Sequence, residues 1–545
     1  MKIFRRTALV WMCCAIALSA CKKDDPSPAD EPTFTLVSLE LDDRPVGTTA
    51  PGASVTPEIV ASFSAPIDRT TASQAIVLVN TTEDLDLNFS YSHGDSTVTI
   101  TPGSTLKYLS KYDFQISTAL TSVAKKALGG NINSKVITTF DPADKFPRIT
   151  DDELLTLTQK RTFNYFWEGA DPSSGMARER NNSGTTVTSG GSGFGIMALV
   201  VGMERNFVTR TEGVQRLNKI VTFLETSDRF HGAWSHWING STGKVIPFST
   251  KDNGGDLVET SFLVQGLLTA RQYLNGTDTV GNNLIKRITR LWEGVEWDWY
   301  RKDNQEVLYW HWSPNYNWDM NFALSGYFEE QITYVLAAAS PTHGIPKSVY
   351  VNGYGRNGAI KTGNTYYDIV LPLGTPSPLF WVQYSYLGLD PHFKDDFADY
   401  WQQNVNATRI NYAYCVANPR KYVGYSDMCW GLTASDNPSG YDAHSPGNDQ
   451  GVITPTAALS SFPYTPEESM KALKFFYYTL GDRLWGTYGF YDAFDLSEGW
   501  VATSYLAIDQ GPIVVMIENY RTGLLWELFM SAPEVQAVKT KLDFQ

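Results

Sequence analysis

Apolar residues recur with two periods along this chain, and the change from one to the other divides it. From Phe34 to about Phe140 they alternate with polar ones, as in "SVTPEIVASFSAP", "STVTITPG", "KYDFQIS" and "SKVITTF". Alternation over short runs, broken by Pro, Gly and Asp, marks half-buried strands, so an all-β sandwich is predicted over residues 34–142. After "DPADKFP" the spacing becomes three and four. "DELLTLTQKRTFNYFWEG", "FGIMALVVGMERN", "TEGVQRLNKIVTFLET", "LVETSFLVQGLLTARQYL", "NFALSGYFEEQITYVLAAA", "PEESMKALKFFYYTLGDRLWG" and "IVVMIENYRTGLLWELFM" all read as helices. Thr465, Pro466 and Glu468 are placed as an N-cap, a first-turn proline and the reciprocal capping glutamate. Helices joined by long Gly-, Asn-, Trp- and Tyr-rich loops, without a fixed-period repeat, predict one all-α toroid over residues 148–545.

The chain opens "MKIFRRTALVWMCCAIALSACKKDD": basic residues, a short apolar run, then Leu18-Ser19-Ala20-Cys21. The apolar run is too short to span a bilayer and reads as a secretory signal. Its end resembles a bacterial lipobox, which implies removal of residues 1–20 and lipidation of Cys21. "KKDDPSPADEPT" then reads as a spacer, residues 21–33 being the linker. A protein lipid-anchored in a bacterial membrane, facing the periplasm or the cell surface, is expected, as a monomer. The formal charge of −14 becomes −17 once Lys2, Arg5 and Arg6 leave with the signal. So acidic a surface excludes nucleic acid as a partner, because phosphate binding needs a basic face. Cys415 and Cys429 remain, enough for one disulfide and too few for a disulfide framework.

Carboxylates interrupt the apolar faces. Asp252, Asp256 and Glu259 stand at i, i+4 and i+7. If a helix starts near Asp256, then Asp256 and Glu259 share the face that runs on through Leu263 and Leu267. The helix macrodipole alone favours acids at such a start. Three acids beside a core also repel, so they must pair with a cation, share protons or face a cavity. Glu329 shares its face with Phe322, Gly326, Ile332, Thr333 and Leu336, and Glu330 is placed on the solvated side. Low dielectric would keep Glu329 protonated near neutrality, as a general acid requires; a core glutamate bonded to arginine or tyrosine is the alternative. Asp509 falls ahead of a helix capped by Gly511 and opened by Pro512, where the amide dipole favours an ionised base. Two carboxyls whose surroundings drive their pKa values apart are the usual mark of an acid and base pair.

Aromatic residues make up 13% of the chain, and Trp297, Trp299, Tyr300, Tyr309, Trp310, Trp312, Tyr316 and Trp318 crowd one polar loop. Flat rings suit pyranose faces; they also serve as clasps that fix a long loop. Asp449, in a Gly-flanked loop, reads either as a turn residue or as a ligand for sugar hydroxyls. The histidines show no HExxH spacing, no GxSxG elbow occurs, and "SGGSGFG" lacks the lysine of a phosphate loop. No metal and no cofactor is therefore expected.

The sandwich segment, with its "FSAPID", "TITP" and "TTF" stretches, resembles bacterial Ig-like domains. "TFNYFWEGADPSSGMARER", "GGDLVETSFLVQGLLTARQY", "GYFEEQITYVLAAASPTH", "SPLFWVQYSYLGLD", "GLTASDNPSGY", "GVITPTAALSSFPYTPEES" and "IDQGPIVVMIENYRTGLLW" run in order through the helical part. They resemble the bacterial glucoamylase-like glycoside hydrolases, the endo-β-1,2-glucanase type of glycoside hydrolase family 144. That resemblance implies an (α/α)6 toroid and hydrolysis of β-glucan, first of all β-1,2-glucan to sophorooligosaccharides. By position it implies Glu329 as acid and Asp509 as base. Asp252, Asp256, Glu259, Asp449, Trp310, Trp312, Tyr327 and Arg178 make up the expected substrate-binding set. The alternatives are an exo-acting or transglycosylating relative, or a non-catalytic surface glycan-binding lipoprotein.

Overall fold

The computed structural model describes residues 33–80, 83–274 and 279–545. The expected signal, Cys21 and all but the last residue of the spacer lie outside the described residues.

Ten strands form the N-terminal sandwich: β1 Leu36–Leu41, β2 Arg44–Pro45, β3 Thr49–Ala53, β4 Ile59–Phe63, β5 Ile76–Asn80, β6 Glu83–Asp84, β7 Leu87–Ser92, β8 Thr97–Pro102, β9 Lys111–Ile116 and β10 Ile132–Thr138. Helix α1, Arg69–Ala75, is capped by the Asp68 carboxylate. One sheet runs β2-β1-β4-β8-β7 and the other β3-β10-β9-β5-β6. All pairs are antiparallel except β3 with β10. The period of two decides which side is core: along β9, Tyr112, Phe114 and Ile116 are buried while Lys111, Asp113 and Gln115 face solvent. The sandwich core, with Ile59, Leu78, Val98 and Phe114, is separate from that of the helical part.

The α-helices of five or more residues that follow among the described residues are α2 Asp151–Trp167, α3 Ser189–Glu204, α4 Arg210–Leu224, α5 Leu257–Leu274, α6 Thr279–Glu293, α7 Gln331–Ala339, α8 Tyr400–Ala417, α9 Pro455–Leu459, α10 Pro466–Lys474, α11 Ala507–Thr522, α12 Leu524–Met530 and α13 Pro533–Lys541. Helix α3 packs against α2, α4, α5 and α11, and α5 against α6, α7 and α12. Helices α3, α5, α7 and α11 are buried nearly all round, while α4 and α6 bury one stripe. The glycines of "SGGSGFG" lie in the first two turns of α3. A Cβ on Gly193 would come within 2.2 Å of the Phe262 carbonyl oxygen, so α3 and α5 meet backbone to backbone.

Three boundaries differ from the sequence expectation. Glycine at φ 109°, Gly326, turns the chain, so α7 begins at Gln331 and "NFALSGYFEE" is a short strand and turn. Helix α11 starts at Ala507, with Pro512 inside it at the cost of one backbone bond. Gly511 is no cap; a Cβ there would lie 2.4 Å from that of Phe194 on α3. Thr465 and Pro466 do open α10, but no side-chain cap bond forms, and the Thr465 hydroxyl turns back to the Ser461 carbonyl oxygen. Reciprocal capping boxes form at Thr150 with Glu153 and at Thr209 with Glu212. Cys415 and Cys429 are buried free thiols.

Candidate active site

A cavity of about 570 Å³ opens where the N-terminal ends of α3, α5, α7 and α11 converge. Thr188 before α3, Asp256 before α5, Glu329 before α7 and Leu506 before α11 all line it. Four buried helix starts bring unpaired N–H groups and positive dipole ends together, which offsets part of the cost of gathering carboxylates there. Its volume falls within the range of small-molecule sites.

One wall is acidic. Asp256 Oδ1 accepts the Glu259 N–H at 2.9 Å, capping α5, and Oδ2 accepts the Trp310 Nε1–H at 2.8 Å. Glu259 reaches across to α3, where Oε2 accepts from Gly190 N at 2.8 Å and from the Thr188 hydroxyl at 3.2 Å. The cation among them is His236, 3.3 Å from Asp256 and 3.9 Å from Glu259. Burial alone would depress the imidazole; Glu259, Asp256 and Asp252 overcome it and raise it to about 9. Behind the wall Asp252 is 2% exposed and lies 3.3 Å from His311. Burial, and then the Asp256 charge, push it up to about 7, and the same causes raise Glu259. His236, Asp252 and Asp256 each have a ligand atom within 4.8 Å of the others, the spacing a metal would need.

Glu329 reaches the same cavity from the turn ahead of α7. Burial, helped by Asp256 and Glu259, raises its carboxyl to about 7. Glu330 corrects the expectation of a solvated neighbour. It is 1% exposed, its Oε1 has no hydrogen-bond partner among the described residues, and burial drives it well above the carboxylate range. The register change at Gly326 explains this: Glu330 takes the N-cap position with its side chain in the core, and Glu329 precedes it facing the cavity.

The opposite wall carries Glu179, Arg180, Tyr441 and Ile508. Arg180 pairs with Glu179 at 3.0 Å and Asp436 at 3.2 Å. Asp509, one residue past Ile508, is 1% exposed. The expectation of an ionised group is corrected: it sits within the first turn of α11, and burial together with Asp492 pushes its carboxyl well above the usual range. Desolvation outweighs the helix dipole here. Tyr384 lines the cavity between the two sides and feels Asp509, Tyr441, Glu259 and Glu329 alike.

Four of the sequence-derived residues, Asp256, Glu259, Trp310 and Glu329, line the cavity. Asp252 and Asp509 stand behind its walls, and Trp312 lies outside it, edge-on to His231 and Trp299. Three expectations for sugar ligands are corrected. The Arg178 guanidinium is occupied by the Gly184 and Gly169 carbonyl oxygens. The Tyr327 hydroxyl donates to Asn404 in the core. Asp449 accepts from the Tyr425 and Tyr414 hydroxyls and from Gly451 N, so it fixes a turn. The aromatic loop divides: Trp297 and Tyr300 are fully buried clasps, while Trp310 faces the cavity. Sequence reasoning missed Arg180, Tyr384, Tyr441 and the role of His236. Only the charged run "RER", Arg178 to Arg180, offered a signal for the first.

Residues 43–141 match the bacterial Ig-like domain model, and residues 321–533 match the Glycoamylase (glucoamylase) family model. Over 416 residues the chain is 50% identical to an exo β-1,2-glucooligosaccharide sophorohydrolase (non-reducing end) of Parabacteroides distasonis, covering 71% of this chain and 57% of that protein. The chain thus spans little more than half the length of that curated relative. The structure of an endo-β-1,2-glucanase from Chitinophaga pinensis is 56% identical, with a TM-score of 0.72, over 73% of this chain and 99% of that one. A β-1,2-glucanase structure from Parabacteroides distasonis is 40% identical, with a TM-score of 0.71, over 94% of this chain and 74% of that one. On 56% identity across 99% of the Chitinophaga pinensis chain, this chain belongs to the glucoamylase-like family, with a bacterial Ig-like domain preceding its helical part.

Proposed function

We propose that this protein is a glycoside hydrolase of β-1,2-linked glucan. The observation that carries the reading is one aromatic-walled cavity holding Glu329 on one side and backed by Asp509 on the other, with Tyr384 between them. The relatives named above as β-1,2-glucan enzymes supply the linkage. Sugar rings lie between Trp310, Phe248, Phe322 and Tyr441, and Asp256 and Glu259 take hydroxyls, steadied by His236 and Asp252. Glu329, with its carboxyl near 7, gives its proton to the leaving glycosidic oxygen, directly or through a substrate hydroxyl. The ionised form of Asp509, which burial makes the scarcer one, removes a proton from the water that attacks the anomeric carbon from the other face, a geometry that needs carboxyls roughly 6.5–9.5 Å apart.

The helices are read as an (α/α)6 toroid over residues 148–545, because their neighbours close on themselves. Helix α3 touches α5 and α11, α5 touches α7, α11 touches α9, and Gln383 Nε2 reaches the Ala457 carbonyl oxygen of α9 at 3.0 Å. The sandwich, residues 34–142, serves as a spacer behind a lipid on Cys21, and a monomer faces the periplasm or cell surface. Incorporation of labelled fatty acid, abolished by Cys21→Ser, tests the anchor.

Incubating the purified protein with glucans of defined linkage, read by product length, tests the function. Sophorooligosaccharides from β-1,2-glucan alone are expected. Binding without product would instead mean a glycan-binding lipoprotein. A second reading, exo action, is favoured by the sophorohydrolase at 50% identity; sophorose released alone identifies it, and a ladder of products identifies endo action.

A further inference from the structure

The turn that carries Glu329 into the cavity is held from outside its own helix. An α-helix leaves its first N–H groups without partners in the helix, and a side chain at the N-cap position commonly takes one of them. At α7 the N-cap residue is Glu330, whose side chain makes no such bond. The Ile332 N–H instead donates to Ser385 Oγ at 3.1 Å, across 53 residues of sequence. The same Ser385 hydroxyl donates to the Glu329 backbone carbonyl oxygen. Ser385 is 0% exposed, and its one hydroxyl commits its proton to the residue before the N-cap and a lone pair to the second residue of the helix.

Ser385 can act as a clamp because the chain around it is itself fixed. Gln265 of α5 donates from Nε2 to the Tyr384 carbonyl oxygen at 3.2 Å, and its Oε1 accepts from Gly388 N at 2.5 Å and Leu389 N at 3.2 Å. Asn519 of α11 donates to the Leu387 carbonyl oxygen at 2.9 Å, and the Trp526 indole of α12 donates to that of Tyr386 at 2.7 Å. Tyr386 adds a second grip on α7, its hydroxyl donating to Gln331 Oε1 at 2.5 Å. Residues 383–389 are therefore tied both to α5, which begins at the acidic wall, and to α11, which carries Asp509. Between those two sides the same segment presents Tyr384 to the cavity.

We propose that Ser385 is a positioning residue for Glu329: its hydroxyl fixes the turn before α7 to the segment that bears Tyr384, and so sets where the acid stands relative to both walls. This rests on the reading of Glu329 as the acid. Glu329 lies ahead of the helix and three residues after the turn at Gly326, so the helical repeat does not set its direction. A proton passes to a glycosidic oxygen only within hydrogen-bond reach, and a misplacement of about 1 Å can lower a rate by about 10². Without the hydroxyl, the Ile332 N–H and the Glu329 carbonyl oxygen both lose this partner, and the turn moves to regain one.

Ser385→Ala, assayed on sophorooligosaccharides, tests this. kcat is expected to fall by about 10–100-fold with KM within about twofold of wild type, because Trp310, Asp256 and Glu259 hold the sugar from other elements and only the proton transfer is misaligned. A serine that merely supported the fold would lower Tm and leave the kcat of the folded enzyme unchanged, and that result overturns the proposal. A rise in KM at constant kcat overturns it as well. Should the variant fail to fold, amide hydrogen exchange in the wild type decides. The Ile332 amide is expected to be protected together with those of Val335 and Leu336, exchanging through the same local opening. Exchange of Ile332 as fast as an unstructured amide, while those two stay protected, would mean that Ser385 does not hold the turn and overturns the proposal. Should wild type hydrolyse no glucan, the reading of Glu329 as the acid falls, while the exchange result still decides the clamp.

Discussion

Glu329→Gln makes the cost of the acid measurable without any substrate. A carboxyl raised from its ordinary 4.5 to about 7 is one the folded protein prefers protonated. Below about pH 4.5 the group is neutral in both folded and unfolded chains and costs nothing. As pH rises from 4.5 to about 7 the unfolded chain ionises it while the folded chain resists, so stability falls, and above about 7 the penalty is complete. The gap between 4.5 and about 7, at 1.36 kcal/mol for each pH unit, is worth about 3 kcal/mol. Solvent entering the cavity screens part of it, leaving about 1–3 kcal/mol. Glutamine keeps the shape and cannot ionise, so the variant should be more stable than wild type by that amount at pH 8 and equal to it at pH 4.5. Scanning calorimetry at the two pH values reads the difference in Tm. A difference that is the same at both refutes the argument, because the substitution then acts through packing rather than charge.

His236→Ala should show the opposite dependence. The imidazole, raised from 6.5 to about 9, contributes stability that is whole below about 6.5 and is lost as pH rises through about 9, so the Tm deficit should be large at pH 6 and shrink by pH 9.5. Gly193→Ala drives a methyl into the α5 backbone, where 2.2 Å separates it from the Phe262 carbonyl oxygen. It should cost about 1–3 kcal/mol or more in calorimetry, and an unchanged Tm would contradict the close helix contact. Asp449→Ala should lower Tm through the lost Tyr414 and Tyr425 bonds and leave KM near wild type. A tenfold or greater rise in KM (roughly 1.4 kcal/mol of lost binding) with unchanged Tm would return Asp449 to the sugar site.

The fold was legible wherever one periodicity ran without interruption. The alternation of β9 and the three-four spacing of α2 and α4 translate directly into buried faces. It was misread where one residue overrode a periodic run: Gly326 cut α7 short and thereby exchanged the places of Glu329 and Glu330. At α11 the Gly-Pro pair resembled a cap, yet its glycine is there for contact with Phe194, a long-range reason that no local pattern carries. Of the candidate site, the acids that start α5 were legible because their spacing conflicted with the core behind them. Arg178, Tyr327 and Asp449 were not, since whether a polar side chain meets a sugar or a carbonyl oxygen depends on strands and helices far away in sequence. Arg180, Tyr384, Tyr441, His236 and Asp492 come together only in three dimensions.

The central claim is that Glu329 delivers the proton that releases a sugar. Reducing ends liberated from β-1,2-glucan by wild type and by Glu329→Gln, with Tm measured on both, test it most directly. The account predicts sophorooligosaccharides from wild type and a rate lower by about 10²–10⁴ in the variant, which remains folded. Turnover by Glu329→Gln equal to that of wild type would contradict it.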